Sequence, residues 1–285
     1  MTISSAKSNG PVAAPSTMTG AQARVLIVAG SDSGGGAGIQ ADIKTVTALG
    51  GFATTAITAL TAQNTQGVQA IHEVPADFVA EQMKSVLTDI GADVIKIGML
   101  LSPRIIMAVS EVLKSHAASI PIVLDPVMVA KGGAALLTDE AMNKLAVEIM
   151  PRAALLTPNI PEAEALVGHQ APGMEEAGEL ARAVLALGPR AVLLKGGHRE
   201  GDVVSDLLVE ENGVEETFES QRIDTRHTHG TGCTLASGIA TGLAQGLSLS
   251  ESTRRARAYL MEAIRTVPGL GAGHGPLNHG HSLSD

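Results

Sequence analysis

Between Arg24 and Val267, short aliphatic runs alternate with stretches whose apolar residues recur at helical spacing. This alternation constrains the fold more than any other feature of the chain. Arg24–Ala29, Phe52–Leu60, Val94–Ile97, Ile122–Leu124, Leu155–Thr157 and Val192–Leu194 read as strands. Helices are expected over Ile39–Leu49, Pro75–Asp89, Pro103–His116, Asp139–Ile149, Pro161–Val167, Met174–Leu187, Thr234–Gln245 and Leu249–Val267. Asp206–Val209 and Glu215–Phe218, joined through Asn212-Gly213, read as a hairpin. Strand–helix–strand repetition demands a mostly parallel sheet covered by helices on both faces, a doubly wound α/β fold. No linker, repeat or low-complexity block interrupts residues 24–268, so residues 23–285 are expected to form one domain. Residues 1–22, rich in Ser, Ala, Thr, Pro and Gly, read as a disordered tail and resemble neither a signal peptide nor an anchor.

In doubly wound folds ligands bind beyond the carboxyl ends of the strands, so the residues after each strand carry the functional information. Here they are Gly30-Ser31-Asp32 with the glycine string up to Gly38, then Thr61-Ala62-Gln63-Asn64, Gly98-Met99, Asp125-Pro126-Val127, Thr157-Pro158-Asn159 with Glu162, and Lys195-Gly196-Gly197-His198. Polar groups recurring at successive strand ends mark a site. Thr228-His229-Gly230-Thr231-Gly232-Cys233, followed by a small-residue run, reads as a tight loop that opens a helix. Free N–H groups at such a start attract an anion, and the chain's only cysteine lies there, where a thiolate would be stabilised. An oxyanion or phosphoryl cradle with a potential base in it suggests group transfer; an inert core cysteine is the plain alternative.

Composition narrows the partners. With no Trp, one Tyr, three Phe and a net charge of −9, the chain lacks both the aromatic platforms and the basic face of a nucleic-acid binder. One Cys excludes an intramolecular disulfide and suits a reducing compartment. No apolar run is long enough to span a bilayer, so a soluble cytoplasmic protein is expected.

The strings GSD…GGAGIQAD, TALTAQNTQGV, KIGML, VLDPVM, TPNIPEAEAL, LLKGGH and THGTGCTLASG, in that order, resemble hydroxymethylpyrimidine/phosphomethylpyrimidine kinases of thiamine biosynthesis, within the ribokinase-like superfamily. The resemblance runs over roughly residues 24–280. It implies a ribokinase-like fold, ATP and Mg2+ as cofactors, an aminopyrimidine substrate phosphorylated twice, and a homodimer. It places Gln63 against the aminopyrimidine edge, where a carbonyl can accept from the amino group and an NH2 can donate to a ring nitrogen. Met99 would pack on the ring, and Gly30, Ala37 and Val127 would line its pocket, with Asp42 near the hydroxymethyl arm. Asn159 and Glu162 would hold magnesium through water, a ligand set suited to an ion that keeps much of its hydration. Asp125 would join that charge network, Lys195 would face the ATP phosphates, and Lys131 would lie on a flap. Gly230, Thr231 and Gly232 would stabilise the transferring phosphoryl group, with Cys233 as the base where most of the superfamily has Asp.

Ser33-Gly34 departs from the Pro-Ser common in the family, and His227 from its Asn. His274, His279 and His281 could be spaced for a metal, but the resemblance of Gly271–His279 to the family's ending favours a structural role. Two alternatives stay open: a pyridoxal-type vitamin kinase of the same superfamily, and a non-catalytic pyrimidine-binding protein. Gln63 favours the aminopyrimidine over the first, and the anion loop with Lys195 argues against the second.

Overall fold

The aliphatic runs do become the centre of a sheet, because strands apolar on both faces are stable only between two helical layers. The computed structural model describes residues 22–128, 137–168, 174–197 and 201–283. The expected tail up to residue 21, Lys131 and His198 lie outside them. The elements are β1 (Arg24–Asp32), α1 (Gly38–Ala48), β2 (Phe52–Asn64), β3 (Gly67–Glu73), α2 (Ala76–Asp89), β4 (Val94–Ile97), α3 (Pro103–His116), β5 (Ile122–Leu124), α4 (Asp139–Glu148), β6 (Leu155–Leu156), α5 (Ile160–Val167), α6 (Met174–Leu185), β7 (Ala191–Leu194), β8 (Val203–Glu210), β9 (Glu215–Gln221), α7 (Thr231–Ala244) and α8 (Leu249–Arg265).

The strands form one sheet in the order β3-β2-β1-β4-β5-β6-β7-β8-β9. From β2 to β7 neighbours run parallel; β3, β8 and β9 are antiparallel additions at the two edges. Alternate side chains of β1 divide between the layers. Leu26 and Val28 pack with Met83, Ile105, Leu145, Ala163 and Leu180 from α2 to α6. Val25, Ile27 and Ala29 pack with Ile39, Val46, Leu235, Ile239 and Ala256 from α1, α7 and α8. The α7–α8 contact is built on small residues: a Cβ on Gly238 would lie 2.8 Å from the Ala256 Cβ, so the two helices are in close van der Waals approach.

The sequence pattern missed β3. The expected strand 52–60 runs on to Asn64 and turns back through Gly67 as an antiparallel edge strand. β3 carries Gln69, His72 and Glu73 and is mostly exposed, so no apolar alternation announced it. The strand order reverses between β1 and β4, each departing to opposite sides of the sheet, and the crevice at that switch point holds the site. No helix among the described residues is long and apolar enough to cross a membrane.

Candidate active site

A cleft of about 850 Å3 opens above the carboxyl ends of the strands, a size common for sites that enclose small molecules. It is lined by Gly30, Ala37, Gln63, Met99, Asp125, Val127, Asn159, Glu162, Lys195 and Gly230–Cys233, among others. These residues come from strand ends and loops far apart in sequence, and the fold brings all of them together.

At one end the loop after β1 is organised by Asp32. Its carboxylate accepts the N–H groups of Gly34 at 2.8 Å, Gly36 at 3.0 Å and Ala37 at 2.9 Å, and lies 2.9 Å from His229 Nε2. Burial alone would raise the Asp32 carboxyl, but the His229 and backbone hydrogen bonds outweigh it and hold the group below the usual carboxylate range. Gly30 forms the floor beneath Met99, whose Cε would be 2.4 Å from a Cβ at position 30. The Gln63 backbone is clamped by Ser33, whose hydroxyl accepts from the Gln63 N–H and donates to the Gln63 carbonyl, both at 2.8 Å. A proline at position 33 would lack that hydroxyl, so the departure there has a structural use. The Gln63 amide sits between Thr61 Oγ1 at 3.1 Å and His229 Nε2 at 3.2 Å.

At the other end, Lys195 Nζ lies 2.8 Å from Asp125 Oδ1 and 4.0 Å from Glu162 Oε2. Burial opposes the lysine's charge, yet the two carboxylates hold its ammonium above the usual range. Burial would likewise raise the Asp125 carboxyl, but Lys195 and Lys96 hold it below its usual range; Glu162 is pushed up by its own burial. Asn159 and Glu162 form a reciprocal capping box at the start of α5, with both bonds at 2.8 Å. The box uses one oxygen of each side chain, and the Met128 backbone N–H also bonds the Glu162 carboxylate. An oxygen donor set this sparse fits magnesium, which binds through one or two carboxylates and retained water.

Between the two ends lies the anion loop. Gly230, with φ +86°, is the N-cap of α7, and a Cβ there would fall 1.9 Å from the Gly36 carbonyl oxygen. The two glycine loops are therefore in backbone contact. No side chain caps α7, so the first-turn N–H groups of Thr231, Gly232 and Cys233 serve a cleft they line. A Cβ on Gly232 would be 3.2 Å from Asp125 Oδ2 and 3.4 Å from Lys195 Nζ, which places this turn directly over the ion pair.

Two expectations need correction. Cys233, expected to ionise easily at a helix start, is instead pushed up to about 11 by burial; nearby Lys96 pulls it down, but Asp42 and Asp125 push it further up. Asp42, expected beside the substrate arm, is not in the cleft wall. It lies fully buried beneath it, with both oxygens 2.9 Å from Lys96 Nζ and one accepting the Ser237 hydroxyl at 2.7 Å. His227 also turns away from the cleft, accepting the Gly275 N–H through Nδ1 at 3.1 Å. The tail histidines do not converge: His274 contacts the Arg226 carbonyl, His279 the Thr234 hydroxyl and His281 the Tyr259 carbonyl.

Sequence reasoning missed Asp32, Lys96 and His229. A lysine within the four-residue buried strand β4 was a visible signal; the other two matter only through contacts made across the fold.

The profile of the family described as phosphomethylpyrimidine kinase matches residues 32–278. The chain is 53% identical over 256 residues to the thiamine biosynthesis bifunctional protein ThiED of Geobacter sulfurreducens, covering 90% of this chain but 52% of that protein, so it spans about half of that relative's length. It is 46% identical over 261 residues to the hydroxymethylpyrimidine/phosphomethylpyrimidine kinase of Streptomyces coelicolor, covering 92% of this chain and 96% of the other. Among solved structures, phosphomethylpyrimidine kinase from Clostridium difficile superposes with a TM-score of 0.76 at 40% identity over 85% of this chain and all of that one. Pyridoxal kinase from Staphylococcus aureus with pyridoxal superposes with a TM-score of 0.84 at 31% identity, over 92% of this chain and 95% of the other. The chain therefore belongs to the phosphomethylpyrimidine kinase family.

Proposed function

We propose that this protein uses ATP to phosphorylate 4-amino-5-hydroxymethyl-2-methylpyrimidine at its hydroxymethyl oxygen, and then phosphorylates the resulting monophosphate to the diphosphate, in thiamine biosynthesis. One observation carries the reading: an amide suited to an aminopyrimidine edge, Gln63, shares a cleft with the uncapped first turn of α7 and the Lys195–Asp125 pair.

Gln63 and Met99 hold the ring, Gly30, Ala37 and Val127 close the pocket around it, and the arm reaches toward Cys233. The hydroxymethyl oxygen attacks the γ-phosphorus while the bond to the β-phosphate oxygen breaks and ADP leaves. The N–H groups of Gly230–Cys233 and the Lys195 ammonium balance the charge on the transferring group. The hydroxyl proton passes to the Cys233 thiolate. Magnesium, held through water by Glu162 and Asn159 with Asp125 nearby, would neutralise the ATP phosphates. The second step needs less from Cys233, because its acceptor is a phosphate oxygen already largely ionised near neutral pH. The same reading carries a cytoplasmic homodimer, which sedimentation of the purified protein tests.

The likeness to pyridoxal kinase supports a second reading, a kinase for pyridoxal-type alcohols. Incubation of the protein with ATP, magnesium and either the aminopyrimidine or pyridoxal, with products followed by mass, separates them. The aminopyrimidine monophosphate followed by the diphosphate is the expected result. Phosphorylation of pyridoxal alone would replace the first reading by the second.

A further inference from the structure

His229 stands at the junction of the two glycine loops and belongs to neither end's expected chemistry. Its ring is held in place: Nε2 faces Asp32 Oδ2 at 2.9 Å, a Cβ on Gly36 would be 2.5 Å from its Cδ2, and its backbone N–H donates to the Gly275 carbonyl at 3.3 Å. The same Nε2 lies 3.2 Å from the Gln63 amide.

Counting protons across these contacts gives the amide a direction. An ionised Asp32 only accepts, so His229 Nε2 must carry the hydrogen it shares with Asp32 Oδ2. A protonated Nε2 cannot accept, so the amide atom facing it must be the carbonyl oxygen, because an NH2 there would set donor against donor. At the far side, the Thr61 hydroxyl has one hydrogen and two groups in reach, the Ser31 carbonyl at 2.9 Å and the amide at 3.1 Å. Given to the nearer Ser31 carbonyl, that hydrogen leaves Thr61 Oγ1 to accept from the amide, which agrees with an NH2 on this side. The structure places the Gln63 Nε2 toward His229 and the Oε1 toward Thr61; that orientation sets donor against donor at His229, so the proton count exchanges the two ends, which are assigned by their partners rather than by shape.

We propose that His229, held by Asp32, is a specificity-determining positioning residue that orients the Gln63 amide and thereby the substrate. The inference rests on the aminopyrimidine reading above. With His229 and Thr61 engaged, the amide keeps one lone pair and one N–H for a ligand, with the acceptor on the α7 side and the donor on the β2 side. A ring edge that has an amino group beside a ring nitrogen then docks in one sense only, with its amino group toward α7. In the aminopyrimidine the hydroxymethyl carbon neighbours the amino-bearing carbon on the side away from that nitrogen. Docking in this sense turns the arm toward Thr231–Cys233; the reverse sense turns it away.

The test compares His229→Phe, which keeps a ring and removes the N–H, with His229→Gln, which restores an N–H donor. The readouts are kcat and KM for the first phosphorylation, in the wild-type background and with Gln63→Ala. Loss of orientation produces binding without turnover, so His229→Phe is expected to lower kcat at least tenfold while KM changes less than about threefold. His229→Gln restores most of kcat, and with Gln63→Ala present the His229→Phe loss disappears. Thr61→Val, which removes the partner of the NH2, is expected to act in the same direction and carries the test if His229→Phe does not fold. A His229→Phe loss of equal size in the Gln63→Ala background, or a Thr61→Val enzyme with unchanged kcat, overturns the proposal while leaving the kinase reading intact. A wild-type protein that does not phosphorylate the aminopyrimidine overturns both.

Discussion

Lys96 and Asp42 form an ion pair in which neither side chain is exposed, at 2.9 Å, on the face of the sheet beneath α1 and α7. Ser237 from α7 completes the carboxylate's bonding, so three elements meet at one buried charge pair directly under Cys233. Burial alone would discharge the lysine; Asp42, with Asp125 adding to the field, keeps it protonated.

Removing one member of this pair strands the other charge in an apolar layer. Lys96→Met is expected to destabilise the fold by about 3–5 kcal/mol in urea unfolding, the range for an uncompensated buried charge. Lys96→Met combined with Asp42→Asn recovers a large part of that loss, because no ionised group is then left without a partner. A double variant as unstable as the single one would show that packing, not charge, is what the site contributes.

The Cys233 thiol, pushed up to about 11 by burial despite the nearby Lys96, is neutral at pH 7 in the free enzyme. Its alkylation by iodoacetamide is expected to be slow at pH 7 and to accelerate about tenfold per pH unit up to pH 9, following the thiolate fraction. The kcat/KM of the first phosphorylation should rise with the same slope, since that ratio reports the free enzyme's base. Cys233→Ala should remove the slope and harm the first phosphorylation more than the second. Equal loss in both steps would falsify the role of Cys233 as the base.

What was legible in the chain followed the range of the interactions involved. The strand centres were readable because Val25–Ala29 and Ile122–Leu124 are buried between two layers and must be apolar wherever the helices fall. The strand-end residues were readable because the fold class itself collects them: Gln63, Met99, Asp125, Glu162 and Lys195 line one cleft. β3 was not, because an exposed edge strand needs no apolar pattern. Asp32 and His229 are 197 positions apart, and neither has a local signature. The direction of the Cys233 shift was misjudged for the same reason. A helix start is a local feature, whereas burial under α1 beside Asp42 is produced by the fold.

His279 is buried in the closing segment, where its Nε2 meets the Thr234 hydroxyl at 2.9 Å and its carbonyl accepts the Tyr259 hydroxyl at 2.7 Å. Burial, with Lys44 and His281 nearby, lowers the imidazole to about 4. The folded state therefore favours the neutral ring. Its contribution is full above the unfolded value of 6.5 and is lost as pH falls from there toward 4. Between pH 7 and pH 5 this group alone should cost about 2 kcal/mol of unfolding free energy, at about 1.4 kcal/mol per pH unit. His279→Gln, which cannot titrate, should show a correspondingly shallower loss over the same interval when urea unfolding is compared at the two pH values.

The contact between the two glycine loops gives the last prediction. Gly230 has φ +86°, a left-handed conformation that costs a side chain about 1 kcal/mol, and its Cβ would overlap the Gly36 carbonyl oxygen at 1.9 Å. Backbone meets backbone here, so no side chain can turn aside to relieve the overlap, and Gly230→Ala must push the first turn of α7 away from the loop held by Asp32. That displacement moves the Thr231–Cys233 N–H groups relative to the pyrimidine end of the cleft, and a shift of about 1 Å in a positioned group costs about a hundredfold in rate. The expected outcome is a kcat reduced by about that factor in both phosphorylation steps, because both use the anion loop, unlike the selective loss expected for Cys233→Ala. The comparison reads the two roles separately: a Gly230→Ala enzyme impaired only in the first step would mean that the loop acts through Cys233 alone and that its backbone groups do not hold the transferring phosphoryl group.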